Sequence, residues 1–185
     1  MRRLLVAAFA IAVSSCGTGT KATHETNGGT AMDATLTKLS LTSDAFANGQ
    51  SIPNEYSCDG ANRSPALKWD EPPEGTKSFA LVIDDPDAPG GTFRHWGAYD
   101  IPAATRSIDT DQQIGTEVKN DKGTPGYTGP CPPPGHGVHH YHFRLFALHV
   151  DHLNLGAEAK VADVEAEAAK HALAHGELIG TFERK

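Results

Sequence analysis

Beyond residue 36, Pro and Gly recur so often that no long stretch of apolar residues survives uninterrupted. Such punctuation bounds strands and breaks helices. Runs with strand character occupy residues 36–41, 66–69, 79–83, 96–101 and 141–150, and residues 178–182 read as a closing strand. The run Phe79-Ala80-Leu81-Val82-Ile83 is apolar at every position, the pattern of a buried strand. Along the run near residue 141 side chains alternate. His139, Tyr141, Phe143, Leu145 and Ala147 therefore share one face, and His140, His142, Arg144 and Phe146 the other. One segment breaks the β pattern. In residues 158–175, Val161, Val164, Ala168, Ala172 and Leu173 recur near helical spacing among Ala, Glu and Lys. This predicts one amphipathic helix, with His171 and His175 in its last turns and Gly176 as its C-cap. The expectation is a mostly β domain over residues 36–185 with a single C-terminal helix.

The N-terminus has a different character. Arg2 and Arg3 precede an apolar run over residues 4–13, and Val13-Ser14-Ser15-Cys16 follows. The run is short for a bilayer span and has the form of a targeting segment. Small residues before a cysteine resemble a lipoprotein cleavage site, which makes residues 1–15 a signal peptide and Cys16 the lipidated mature N-terminus. An ordinary secretory signal with an incidental Cys16 is the alternative, and either exports the chain. Residues 16–35 contain almost no large apolar side chain and read as a flexible tether. About twenty such residues span roughly 25 Å, enough to hold a domain clear of a membrane. The expected location is the cell envelope, with the periplasmic face of an outer membrane as one option.

With 185 residues, 38% of them apolar, there is chain for one sizeable core. The formal charge is -7 and basic residues cluster only at Arg2-Arg3, which disfavours nucleic acid as a partner. In an exported chain Cys58 and Cys131 could form a disulfide, remain buried thiols, or contribute to a metal site. Neither a helical His-Glu-x-x-His nor a closed Cys/His set is present, so no metal or other cofactor is expected at His136, His139, His140 or His142. His136, His140, His142, His149 and His152 read as solvated imidazoles.

Chemistry concentrates in two blocks at strand ends. Asp84-Asp85-Pro86-Asp87-Ala88-Pro89 with Arg94-His95-Trp96 is one, and Gly135-His136-Gly137-Val138-His139-His140-Tyr141 is the other. Imidazoles and a tyrosine hydroxyl recognise anions, while a carboxylate fixes a histidine tautomer. The prolines Pro130, Pro132, Pro133 and Pro134 would make a rigid rim. The loops 54–65 and 116–134 are long, and long ordered loops tend to be functional.

These blocks, with Asn62-Arg63-Ser64-Pro65-Ala66-Leu67-Lys68-Trp69 and Glu177-Leu178-Ile179-Gly180-Thr181-Phe182, resemble the phosphatidylethanolamine-binding protein family, in particular its bacterial Raf kinase inhibitor-like branch. The resemblance implies a β-sandwich of a large central antiparallel sheet and a smaller one, with a C-terminal helix. It implies a ligand pocket at Asp85, Asp87, Pro89, His95, Trp96, Pro132, Pro133, His139 and Tyr141, holding a small anion or a phospholipid head group. Cys131 stands where animal members carry glycine, and His136 and His140 are imidazoles that they lack. The functional expectation is a membrane-tethered binding protein, more a binder than an enzyme. Inhibition of a kinase or protease through an unknown protein partner is one alternative. A hydrolase using histidine with Cys131 or water is another. Mass spectrometry of the mature N-terminus tests the anchor: a lipid-modified Cys16 is expected, and any other first residue overturns it.

Overall fold

The computed structural model describes residues 36–185. The expected signal peptide, lipidated Cys16 and tether lie outside them. In chain order the strands are β1 (Thr37–Lys38), β2 (Leu41–Thr42), β3 (Leu67–Trp69), β4 (Ser78–Asp85), β5 (Phe93–Pro102), β6 (Ser107–Ile108), β7 (Thr116–Glu117) and β8 (Val138–Leu148). Helix α1 (Val161–His171) and strand β9 (Ala172–Glu183) complete the chain. A six-stranded sheet has the order β1-β9-β8-β4-β5-β7, and β2-β3-β6 form a second, smaller sheet.

Strand β4 lies inside the large sheet with β5 and β8 as antiparallel neighbours. Its continuous apolar sequence is explained by burial on both faces. Phe79, Leu81 and Ile83 join Phe143, Leu145, Leu67 and Trp69 in the core shared with the small sheet. Ala80 and Val82 face the other way, with Phe146 and Leu148, onto Val161, Val164 and Ala168 of α1. Each fully buried Leu, Ile or Phe of this strand contributes roughly 1.5–3 kcal/mol of transfer free energy. The helix carries an apolar stripe because only one of its sides meets the sheet.

Three expectations are corrected. The large sheet is mixed, because β1 runs parallel to β9 with Thr37 beside Ala174. The single strand expected over residues 36–41 is divided between the two sheets, the chain crossing where Leu39 N–H donates to His175 O and Ser40 N–H to Asp70 Oδ1. The helix is shorter at both ends than residues 158–175. It begins after Lys160, whose N–H is capped by the Asp163 carboxylate at 2.8 Å, and Ala172 is already extended.

Gly176 is therefore not a helix cap, and His175 is not in a last helical turn. Both belong to β9, where Ala174, Gly176, Leu178, Gly180 and Phe182 are buried at every second position. A Cβ on Gly176 would stand 2.7 Å from Leu39 O. The glycine is needed for close approach of two backbones.

The long loops 54–65 and 116–134 are fastened to one another. Cys58 and Cys131 are joined by a disulfide with Cα atoms 5.4 Å apart, across 73 positions of sequence. Both sulfurs are thereby committed to one bond and are neither thiols nor metal ligands. Cys58 N–H donates to Pro130 O, Gly129 N–H to Asn62 Oδ1 and the Tyr127 hydroxyl to Tyr56 O. Without reductant, Cys58 and Cys131 should resist alkylation in the native protein. Replacing both with serine should cost about 2–4 kcal/mol in urea unfolding, and free labelling of either thiol would overturn the linkage.

Candidate functional site

Because β4 lies between β5 and β8, the polar residues at its end meet those at the adjoining ends of its neighbours. Asp85 is the last residue of β4, His95 the third of β5 and His139 the second of β8. Asp85 is on the face of Phe79, Leu81 and Ile83, and His139 on the face of Tyr141 and Phe143, so both point into the sandwich. His95 arrives there by an irregularity. The β4–β5 register shifts between Ile83, opposite Trp96, and Asp84, opposite Arg94. Arg94 reaches Glu165 of the helix and Gly97 backs onto Val161, while His95 and Trp96, consecutive residues, both lie on the sandwich side. A bulge beside a site re-aims a side chain in this way.

The three residues line a cavity of about 290 Å³. Pro89, Pro132 and Pro133 supply its walls, together with Phe93 and the Cys131 end of the disulfide. Asp85 and His139 are buried and share a 2.7 Å contact from His139 Nδ1 to Asp85 Oδ2. The other Asp85 oxygen accepts the Asp87 N–H at 2.9 Å. His95 Nδ1 donates to Thr128 O at 2.7 Å. Burial is the main cause that pushes the His95 pKa down, with the Thr128 carbonyl and then the Asp85 charge opposing it. The contact with the Thr128 carbonyl, which can only accept, puts a proton on Nδ1.

Three expected ligand residues stand off the wall. Tyr141 is behind it, its ring edge-on to His95 at 5.2 Å. Its buried hydroxyl lacks a well-formed hydrogen bond among the described residues, and burial, reinforced by the Asp85 charge, raises its pKa well above the ordinary phenol range. Asp87 is on the outer loop, where its carboxylate accepts from His140 N–H at 2.8 Å and holds His140 Nδ1 at 2.7 Å. That hydrogen bond to His140 is the leading cause that lowers its pKa. Trp96 is 1% exposed, and its indole N–H donates to Glu117 at 3.0 Å over a separate polar depression that Tyr127 and Asp111 help to line. Its size and indole N–H place it between the core and Glu117.

The histidines expected to be merely solvated have partners. His136 Nδ1 lies 2.8 Å from His139 Nε2, His142 contacts Glu177 at 2.8 Å and His152 contacts Asp100 at 3.0 Å. His149 and His171 stack edge-on, 5.1 Å apart. The contact with Glu177 is the leading cause that raises the His142 pKa.

Sequence reasoning also missed Lys122 and Phe93 at the cavity. Lys122 is a cation on the lining, carried by the turn that Asn120 organises through Lys122 N–H to Asn120 Oδ1 and Gly123 N–H to Asn120 O. Asp121 clips that turn to β5, its N–H donating to Arg94 O and its carboxylate accepting Arg94 N–H at 2.8 Å. Asn-Asp-Lys-Gly is legible as a turn. Its docking beside His95 depends on long-range pairing. The site can therefore enclose a small polar group between a pinned carboxylate, two imidazoles and an ammonium.

Comparison with known proteins agrees with this fold. A protein from Aquifex aeolicus, described as UPF0098 protein, is 47% identical over 152 residues, which cover 79% of this chain and 89% of that protein. A Mycobacterium tuberculosis protein that carries lipoprotein in its name, LppC, is 39% identical over 187 residues, 95% of this chain and 92% of the relative. The crystal structure of Escherichia coli YbcL, described as a new member of the mammalian PEBP family, superposes with a TM-score of 0.75 at 31% identity. That likeness covers 80% of this chain and 99% of YbcL. The family model described as phosphatidylethanolamine-binding protein matches residues 42–183, and with the sandwich, the helix and the paired loops in place, the chain belongs to that family.

Proposed function

We propose that this domain is an exported, lipid-anchored binding protein that holds a small anionic molecule or head group, phosphate-bearing or carboxylate, in the cavity at the end of β4. The observation that supports this most is the grouping on one enclosed wall of Asp85, His95, His139 and the Lys122 ammonium. Asp85 accepts two internal hydrogen bonds, so its charge is held by the protein rather than directed at a ligand. Lys122 supplies a positive charge, and the imidazoles offer ring nitrogens for hydrogen bonds.

Binding is favoured over a thiol-based hydrolysis by the state of Cys131. Cys131 is oxidised in its bond to Cys58, which removes the thiol that a hydrolase reading would use. The resemblance to LppC, with lipoprotein in its name, supports anchoring in the envelope.

Calorimetric titration with phosphate or phosphoethanolamine tests this reading. Saturable binding is expected, and His95→Ala, His139→Ala and Lys122→Ala should each weaken it by about 1–3 kcal/mol, the scale of a charge-assisted hydrogen bond. Equal affinity in all three variants would remove the cavity from consideration.

A further inference from the structure

Strand β4 pairs with β8 from Ser78, opposite Leu148, to Asp84, opposite His142. The cavity lies at the Asp85 end, so the turn that follows Leu148 is at the other end of the sheet, roughly 23 Å away along β4. Two histidines meet there. His149 follows β8 directly, and His171 is the last residue of α1. His149 N–H donates to His171 O at 3.1 Å, which holds the two residues side by side.

Their rings face one another at a distance that suits a metal better than a hydrogen bond. His171 Nδ1 and His149 Nε2 are 3.4 Å apart, and the ring centres 5.1 Å. A well-formed hydrogen bond from a nitrogen donor is usually about 2.7–3.2 Å long. Two imidazole nitrogens held tetrahedrally by zinc at ~2.0–2.1 Å stand roughly 3.4 Å apart, with their ring centres roughly 5.2 Å apart. His149 is exposed and His171 partly so, and an ion can reach the pair from solvent.

The far side of His171 is fixed. Its Nε2 lies 3.2 Å from Glu167 Oε1, one helical turn earlier, and Lys170 Nζ donates to Glu167 Oε2 at 2.7 Å. The hydrogen bond from Lys170 is the leading cause that lowers the Glu167 pKa, so Glu167 is a carboxylate at neutral pH and accepts the His171 Nε2–H. The neutral His171 ring then offers a lone pair at Nδ1, toward His149. A carboxylate placed behind an imidazole in this way orients the ring and raises its basicity as a metal ligand. The last carbonyls of α1 add partial negative charge beside the pair. His149 exchanges its proton with solvent, and its Nε2 is free to ligate once the hydrogen sits on Nδ1.

We infer that His149 and His171 form a two-imidazole chelate for a divalent transition-metal ion, of the zinc and copper class, at the end of the sheet remote from the cavity. Among the described residues no group of three or more His, Cys, Asp or Glu side chains could hold a metal ion. The pair therefore supplies two ligands, and water completes the coordination. Imidazole ligands favour copper over nickel and zinc, while magnesium and calcium prefer oxygen. Bound there, the ion ties the last residue of α1 to the residue after β8 and fastens the helix to the sheet it covers.

Titration of the full chain with zinc, followed by nitrogen NMR of the imidazoles, tests this. Saturable shifts are expected at His149 and His171, copper should compete with zinc for the pair, and magnesium should leave both rings unmoved. His149→Ala or His171→Ala should weaken zinc binding more than about tenfold, and Glu167→Gln about tenfold, the lower end of what loss of an orienting partner costs. Zinc should raise the melting temperature of the natural chain and of His152→Ala, and should not raise that of either ligand variant. Zinc shifts confined to other histidines, or undiminished zinc affinity in His149→Ala and His171→Ala, overturns the inference. Undiminished affinity in Glu167→Gln overturns the orienting role of that carboxylate. Neither result touches the anion-binding reading, which the phosphate titration tests separately.

Discussion

Everything about the site follows from the burial of β4 on both of its faces. A strand covered on one side by a second sheet and on the other by a helix has no solvent face on which to put a polar residue. Its polar residues are therefore expelled to its ends, and Asp84 and Asp85 mark the end nearer the cavity. Alternation then sends the two carboxylates to opposite layers. Asp85 enters the sandwich, where His139 and the Asp87 N–H satisfy it. Asp84 turns to the helix layer, where Arg144 holds it at 2.6 Å and is itself held by Glu165 of α1 at 2.6 Å.

The two carboxylates show how one strand end serves structure and chemistry at once. On the helix side burial raises the Asp84 pKa despite the Arg144 charge, and the pair gains from its network rather than from isolation. Removing one partner there would strand a buried charge. On the sandwich side Asp85 borders a cavity, and its partners are the His139 imidazole and the Asp87 N–H. The same residue type at adjacent positions is a clamp in one layer and part of a cavity wall in the next.

Local pattern made much of this legible. The unbroken apolar run of β4, the alternation of β8 and the acidic and histidine blocks located the central strands, and the family resemblance put Asp85 and His139 in one pocket. What escaped was whatever depended on backbone irregularity or on distant pairing. The bulge that puts His95 and Trp96 on the same side has no signature in residue type. The family resemblance implied Trp96 on the ligand wall, whereas its indole is directed to Glu117. Lys122 reaches the cavity through a turn clipped to Arg94, and His136 through a contact across two glycines. Ala172 to His175 have the composition of a helix and the pairing of a strand, and the neighbouring β8 decides between them.

The cross-link between Cys58 and Cys131 ties the shape of the cavity to a compartment. Cys131 stands directly before Pro132 and Pro133 on the wall, and the bond anchors that wall to a loop far away in sequence. Such a bond persists where the surroundings are oxidising and is rare where glutathione and thioredoxin keep thiols reduced. A chain kept reduced would have its strands and its histidines but not a fastened rim. The wall that Cys131, Pro132 and Pro133 form is thereby conditional on its redox surroundings.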